Sequence, residues 1–259
     1  MAAKKTQSKP KTKSKAPGEL RLRGKIAVVT GGSRGIGQAI ARALAGEGCT
    51  VIITGRGKSA LSRSATRVSR KGHGRGKVVP LVCDVRDPDA VAALFAKVKQ
   101  RFRKLDLLIN NAGVSQEPTP VEETSLELWH EMLDTNLTGT FLCTRAALPL
   151  MRSGATIINN LSAAAKQVFP KFAAYTAAKT GAYGFTLSLR EELMPRGIRV
   201  TALMPGATAT DIWDQIMPNA PREKMMNVES TAQAVLYAVL LPPNANLSEL
   251  LLTPTAGVL

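Results

Sequence analysis

Histidine and cysteine are scarce in this chain, and their scarcity excludes much chemistry. Its 259 residues hold two histidines and three cysteines. Cys49, Cys83 and Cys143 stand far apart in apolar contexts, with no C-x-x-C and no His/Cys cluster. They read as buried thiols of a reducing cytosol, neither disulfide partners nor metal ligands. His73 and His130 are isolated and read as surface or loop residues, so no metal site is expected. No apolar run reaches the roughly 18 residues of a membrane span, and none precedes residue 26. No anchor or secretory signal is therefore expected, and the chain is placed in the cytoplasm. Residues 1–18 contain no Arg and show no amphipathic period, which argues against a transit peptide.

Acid is also in short supply. Asp and Glu number 19 against 35 Lys and Arg, for a net charge of +16. Residues 1–18 carry six lysines and no acid, leaving +10 on the remainder, and a second basic stretch runs from Arg56 to Lys77. The Lys/Ser/Thr/Pro composition of 1–18 predicts a disordered arm, and 19–259 one domain. Contact with nucleic acid or another polyanion is one reading of these basic stretches, and a solvated tail with a basic helix face beside an anionic cofactor is the other. Aromatics make up 4% of the chain and none interleaves with the arm's lysines, so bases have no stacking platform and the tail is favoured.

From Lys25 onward, short β-branched runs alternate with helix-like segments. Strands are expected at 26–30, 50–54, 78–82, 105–110, 156–160, 198–203 and 249–253. Helices are expected at 35–47, 87–102, 126–151 with a break near Asn136, 173–194 and 231–241. That alternation predicts an α/β fold: a single doubly wound, Rossmann-type parallel sheet with helices on both faces. Such sheets bind ligands at the carboxyl ends of their strands. Residues 206–228, with two prolines, several methionines and Trp213, are the best candidate for a mobile flap over a substrate.

The motifs fall at those strand ends. Thr30-Gly31-Gly32-Ser33-Arg34-Gly35-Ile36-Gly37 follows the first strand and opens a helix. Glycines there let the backbone approach a pyrophosphate, and the helix N-terminus supplies unpaired N–H groups and partial positive charge. The second strand ends Thr54-Gly55-Arg56, without the acid that would bond ribose hydroxyls. Arg56 and Arg34 instead offer two guanidinium forks to a 2′-phosphate, which predicts NADP(H) over NAD(H). Asp84 and Val85 end the third strand, with Asp84 an acceptor for an adenine amino group. Asn111, Ala112 and Gly113 end the fourth, small enough for the cofactor to pass. After the sixth strand, Pro205 and Gly206 fix a turn beside the nicotinamide, and Thr208 and Thr210 can bond its carboxamide or a phosphate.

The reacting centre is Tyr175 with Lys179 four residues on, and Ser162 after the fifth strand. A free phenol has a pKa near 10, and an ammonium on the same helix face favours the phenolate. Tyr175 thereby serves as acid in reduction and base in oxidation, while Ser162 holds the substrate oxygen. At Asn136 a helix break would free a carbonyl to hold a water near Lys179.

The motifs TGGSRGIG at 30–37, CDV at 83–85, NNAG at 110–113, Asn136, Ser162, YTAAK at 175–179 and PGATAT at 205–210 resemble those of the short-chain dehydrogenase/reductase family. The resemblance runs from about Lys25 to the C-terminus. It implies that Asn136, Ser162, Tyr175 and Lys179 form a catalytic tetrad and that Lys179 also binds the nicotinamide ribose. It further implies a homotetramer or homodimer built on helices matching 126–152 and 173–194. Where the family's pattern has a Ser-Ser pair, this chain has Leu161-Ser162. The expected activity is NADP(H)-dependent hydride transfer on a small-molecule carbonyl or alcohol, with 3-oxoacyl or small ketone and aldehyde reduction foremost. The alternative is an NADP(H)-binding regulatory or scaffold protein that contacts polyanions through its arm.

Overall fold

Short apolar runs pair into one parallel seven-stranded sheet in the order β3-β2-β1-β4-β5-β6-β7. The computed structural model describes residues 20–71 and 75–257. The basic arm and His73 lie outside the described residues. The strands are β1 (Ile26–Val29), β2 (Thr50–Gly55), β3 (Val78–Val82), β4 (Leu107–Asn110), β5 (Thr156–Asn160), β6 (Arg199–Pro205) and β7 (Glu249–Leu252). The helices are α1 (Gly35–Gly46), α2 (Lys58–Lys71), α3 (Pro88–Phe102), α4 (Leu126–Leu133), α5 (Gly139–Ala147), α6 (Ala173–Leu193), α7 (Trp213–Ile216) and α8 (Val228–Leu240).

Side-chain alternation along the strands splits the core in two. Val28, Ile52, Leu108, Ile157 and Val200 point to the layer of α3, α5 and α6. Ala27, Val29, Val51, Ile53, Ile109 and Ile158 point to the layer of α1, α2 and α8. β1, β2 and β4 are apolar along nearly their whole length because both faces of the sheet are covered. The edge strand β3 carries exposed Pro80, which has no N–H to offer a foreign strand.

The basic helix face expected, without bounds, in the stretch after Arg56 is α2. Leu61, Ser64 and Val68 recur at helical spacing and are buried, while the intervening cations face solvent and mask the period. α8 begins three residues earlier than expected because the Asn227 side chain caps it, accepting from the Ser230 N–H at 2.8 Å. The expected break near Asn136 is a π-turn over Asp134–Thr138, between α4 and α5. α3 starts as its sequence requires: Pro88 fills the first turn and the Asp87 carboxylate accepts from Asp89 and Ala90.

Strand order reverses between β1 and β4, the central pair. Crossovers leave this point in opposite directions, so the loops at the carboxyl ends of β1 and β4 part and open a crevice.

Candidate active site

A cavity of about 400 Å³ occupies that crevice. Every residue expected to bind the cofactor lines it, together with Ser162, Tyr175 and Lys179. Asn136 does not. It lies behind Gly113, where an added Cβ would stand 2.8 Å from Asn136 Oδ1 and 3.4 Å from Lys179 Nζ. Only glycine lets those two side chains meet against the backbone.

At the β1 end the glycine turn is drawn tight. Gly31 has φ +65°, and a Cβ there would stand 2.8 Å from the Ala112 Cα, so the turn packs directly on the NNAG loop. The Asn111 Nδ2 donates to the Thr30 carbonyl at 2.9 Å, and the Thr30 hydroxyl accepts from the N–H groups of Asn111 and Ala112. Ser64, on α2, donates to the Gly32 carbonyl at 2.8 Å and accepts from Gln38 at 2.8 Å. Motif reading missed these two supports, because nothing in sequence ties Ser64 to the turn.

The residues here fit a dinucleotide phosphate. No side chain caps α1 and its first turn holds no acid, leaving its N–H groups open to the cavity. Arg34 and Arg56 are exposed, line the cavity and make no ion pair among the described residues. A third guanidinium, that of Arg86, went unpredicted. It forks onto Asp84 at 2.7 and 3.1 Å and holds that carboxyl below its ordinary range. Asp84, expected to serve an adenine amino group, is thus already engaged on both oxygens.

At the β4–β6 end, α6 carries Tyr175 and Lys179 one turn apart. α6 has no side-chain cap of its own. Buried Gln116 supplies one from outside: its Oε1 accepts from the Tyr175 N–H at 2.9 Å, and its Nε2 donates to the Lys171 carbonyl at 3.2 Å. Ser162 accepts from the Ala164 N–H at 3.1 Å, which orients its hydroxyl at the mouth of the loop after β5. Lys179 Nζ donates to the Asn160 carbonyl at 3.4 Å, and the Asn160 side chain donates to Asn111 at 2.8 Å. Leu161, in place of the family's serine, is buried against Ala182, Ala202 and Met204.

Burial works against one electrostatic expectation. Lys179 was expected to draw Tyr175 toward the phenolate. Burial instead pushes the phenol up, with only the Ser162 hydrogen bond opposing it, and the ammonium lies 5.6 Å from the ring centroid. Burial also pulls Lys179 down to about 8. The break at Asn136 was expected to free a carbonyl for a water. The Asn136 carbonyl accepts the Thr140 hydroxyl at 2.9 Å, one of the two bonds a carbonyl oxygen can take, while the Asn136 side chain pairs both ways with the Val114 backbone, at 3.2 and 3.1 Å.

A buried polar ladder underlies this end. Asn110 Nδ2 donates to Thr144 at 3.0 Å and to Asn159 at 2.9 Å, and Asn159 donates to Thr186 on α6 at 2.9 Å. Thr144 in turn bonds the Thr140 carbonyl on the helix that follows Asn136. The ladder ties α5 to α6 through β4 and β5.

A sequence model described as short chain dehydrogenase matches residues 25–221. The chain belongs to that family. It is 34% identical over 241 residues to sulfoacetaldehyde reductase 2 of Chromohalobacter salexigens, covering 89% of this chain and 94% of that one. It is 38% identical over 192 residues to a 3beta-hydroxysteroid dehydrogenase of Mediterraneibacter gnavus, covering 74% and 68%. Among solved structures, an alcohol dehydrogenase of Thermococcus sibiricus complexed with 5-hydroxy-NADP superposes with a TM-score of 0.82 at 29% identity, over 90% of this chain and 97% of that one. A short-chain dehydrogenase of Burkholderia cenocepacia in complex with NADP gives 0.81 at 29%, over 91% and 99%. This short-chain dehydrogenase is an enzyme, an oxidoreductase. No helix among its described residues is long and apolar enough to cross a membrane. Its cysteines are buried and free, and burial pushes Cys49 up to about 12 and Cys83 to about 11, away from thiolate chemistry.

Proposed function

We propose that this enzyme is an NADP(H)-dependent reductase of carbonyl compounds, with Asn136, Ser162, Tyr175 and Lys179 as its working groups. One observation carries the reading: a hydroxyl, a phenol and a buried ammonium share one cavity with an uncapped helix terminus flanked by two arginines that make no ion pair among the described residues. The NADP-bound relatives from Burkholderia cenocepacia and Thermococcus sibiricus support the choice of cofactor.

A nicotinamide bound in this cavity would supply the hydride that the carbonyl carbon receives. Ser162 and Tyr175 hold the substrate oxygen, and Tyr175 gives it a proton as it becomes an alkoxide. Because burial keeps the phenol protonated, Tyr175 enters reduction as the acid without prior titration. Lys179 stands over the ring and positions it. Asn136 locks the Val114 backbone beside Gly113 and so fixes the floor under Lys179. Arg34 and Arg56 would hold the 2′-phosphate, and the N–H groups of α1 the pyrophosphate.

The substrates we favour are 3-oxoacyl compounds and small ketones or aldehydes. A homodimer or homotetramer on the α4–α5 and α6 faces agrees with exposed Phe141, which packs edge-on against Phe185 of α6. A cytoplasmic setting agrees with the three free thiols. The test is NADPH consumption on a carbonyl panel by wild type and Tyr175→Phe, with NADH in parallel. Turnover with NADPH that vanishes in the variant supports the reading. Near wild-type turnover in Tyr175→Phe removes Tyr175 from its role.

A further inference from the structure

We infer that the substrate is an uncharged ketone or aldehyde bearing an aryl or alkyl group. This rests on the reductase reading and narrows it. The cavity is divided by charge along the sheet. Its lining guanidinium groups, those of Arg34, Arg56 and Arg86, come from the ends of β1, β2 and β3. The opposite end is supplied by the segments after β5 and β6. There the wall is Leu161, Phe169, Phe172, Trp213, Ile216 and Met217.

Among the described residues that line that end, only Lys179 and Asp211 bring charge. Lys179 is 5% exposed and its ammonium donates to the Asn160 carbonyl, so it offers an outlying anion no contact. Asp211 is exposed and carries the sign that repels one. The cations nearest in sequence, Lys166, exposed Lys171 and Arg222, do not line the cavity: Lys166 pairs with Glu249, and Arg222 pairs with Asp214 and donates to the Thr210 carbonyl at 3.2 Å. Trp213 has no polar atom to spare, since its Nε1 donates to the Thr208 carbonyl at 2.9 Å. It therefore presents only its ring. A carboxylate or sulfonate here would lose water and gain no cation from the wall that lines the cavity. An aryl or alkyl group would bury against aromatic faces instead. Kinship to a sulfoacetaldehyde reductase, whose named substrate is an anion, therefore does not transfer its substrate to this chain.

The experiment is steady-state kinetics of the full chain with NADPH on acetophenone and cyclohexanone against sulfoacetaldehyde and succinic semialdehyde. Expected is a kcat/KM at least about 100-fold higher for the uncharged pair. Met217 stands at the flap and is 36% exposed, so a charge there is compatible with folding. Met217→Arg, with its fold checked by circular dichroism, is expected to narrow the ratio about tenfold by supplying a cation. Equal or faster turnover of the anionic carbonyls, lost in Tyr175→Phe, overturns the inference and leaves the reductase reading intact. A ratio unmoved by Met217→Arg also overturns it, since charge at this wall then decides nothing. No turnover on any carbonyl, with NADPH still bound, overturns the reductase reading and the inference together.

Discussion

The two ends of the cavity are built by different means. At the β1–β3 end each group sits within a few residues of the strand that presents it: the glycine turn after β1, Arg56 after β2, Asp84 and Arg86 after β3. The contact that shapes Asp84 spans two residues of sequence. Long-range bonds there brace only the backbone of the glycine turn, from Ser64 across 32 residues and Asn111 across 81, whereas at the β4–β6 end they hold the working elements themselves. Gln116 reaches Tyr175 across 59 residues, Asn110 reaches Asn159 across 49, and Asn160 reaches Asn111 across 49. Holding an anion needs open N–H groups and guanidinium forks, which a local loop provides. Positioning a proton donor needs fixed angles between separate elements, and a buried network provides those. The difference teaches that affinity and chemistry should be separable by mutation.

The largest expected effect tests that separation directly. Tyr175→Phe should lower turnover by about a hundredfold to ten-thousandfold while NADPH affinity by calorimetry stays put. Loss of both would mean the two ends form one unit. Next, the double variant Arg34→Ala/Arg56→Ala should weaken NADPH about tenfold to a hundredfold and leave NADH binding and the fold unchanged. An equal loss for both cofactors would place the arginines elsewhere than on the 2′-phosphate.

A pH measurement sharpens the contrast further. Burial lowers Lys179 from its ordinary 10.5 to about 8. Between these values the unfolded chain binds more protons than the folded one, so stability gains from this group as pH rises. The gain is up to about 3 kcal/mol. Urea unfolding of the cofactor-free protein should show it from pH 8 upward, and Lys179→Met should abolish it. A smaller effect should follow Asn159→Leu, which strands the Asn110 and Thr186 partners. We expect a loss of about 1–3 kcal/mol in urea and a lower kcat, with NADPH affinity preserved. Unchanged kcat would show that the ladder serves stability alone.

The same contrast explains how legible the protein was. The seven strands, the central helices and the break at Asn136 are local patterns, and each is where its period placed it. α2 was read only as a basic helix face without bounds, because its buried Leu61, Ser64 and Val68 are outnumbered by exposed cations. Among site residues, those on strand-end motifs were named, whereas Gln116, Asn160 and Ser64 were not. Their partners are distant in sequence, and an isolated Gln, Asn or Ser carries no signature.

Sequence alone determined the alternation of strands and helices, the glycine turn, the absent acid at β2 and the one-turn spacing of Tyr175 and Lys179. All of these depend on neighbours within a few residues, where backbone sterics and helical or strand period act directly. Only the tertiary structure decided which groups are charged and which are held. Burial raises the phenol and lowers the ammonium, Arg86 occupies Asp84, and Gln116 caps a helix that has no cap of its own. Desolvation and hydrogen bonding depend on what the fold brings within about 3 Å, and that is a property of the packed chain.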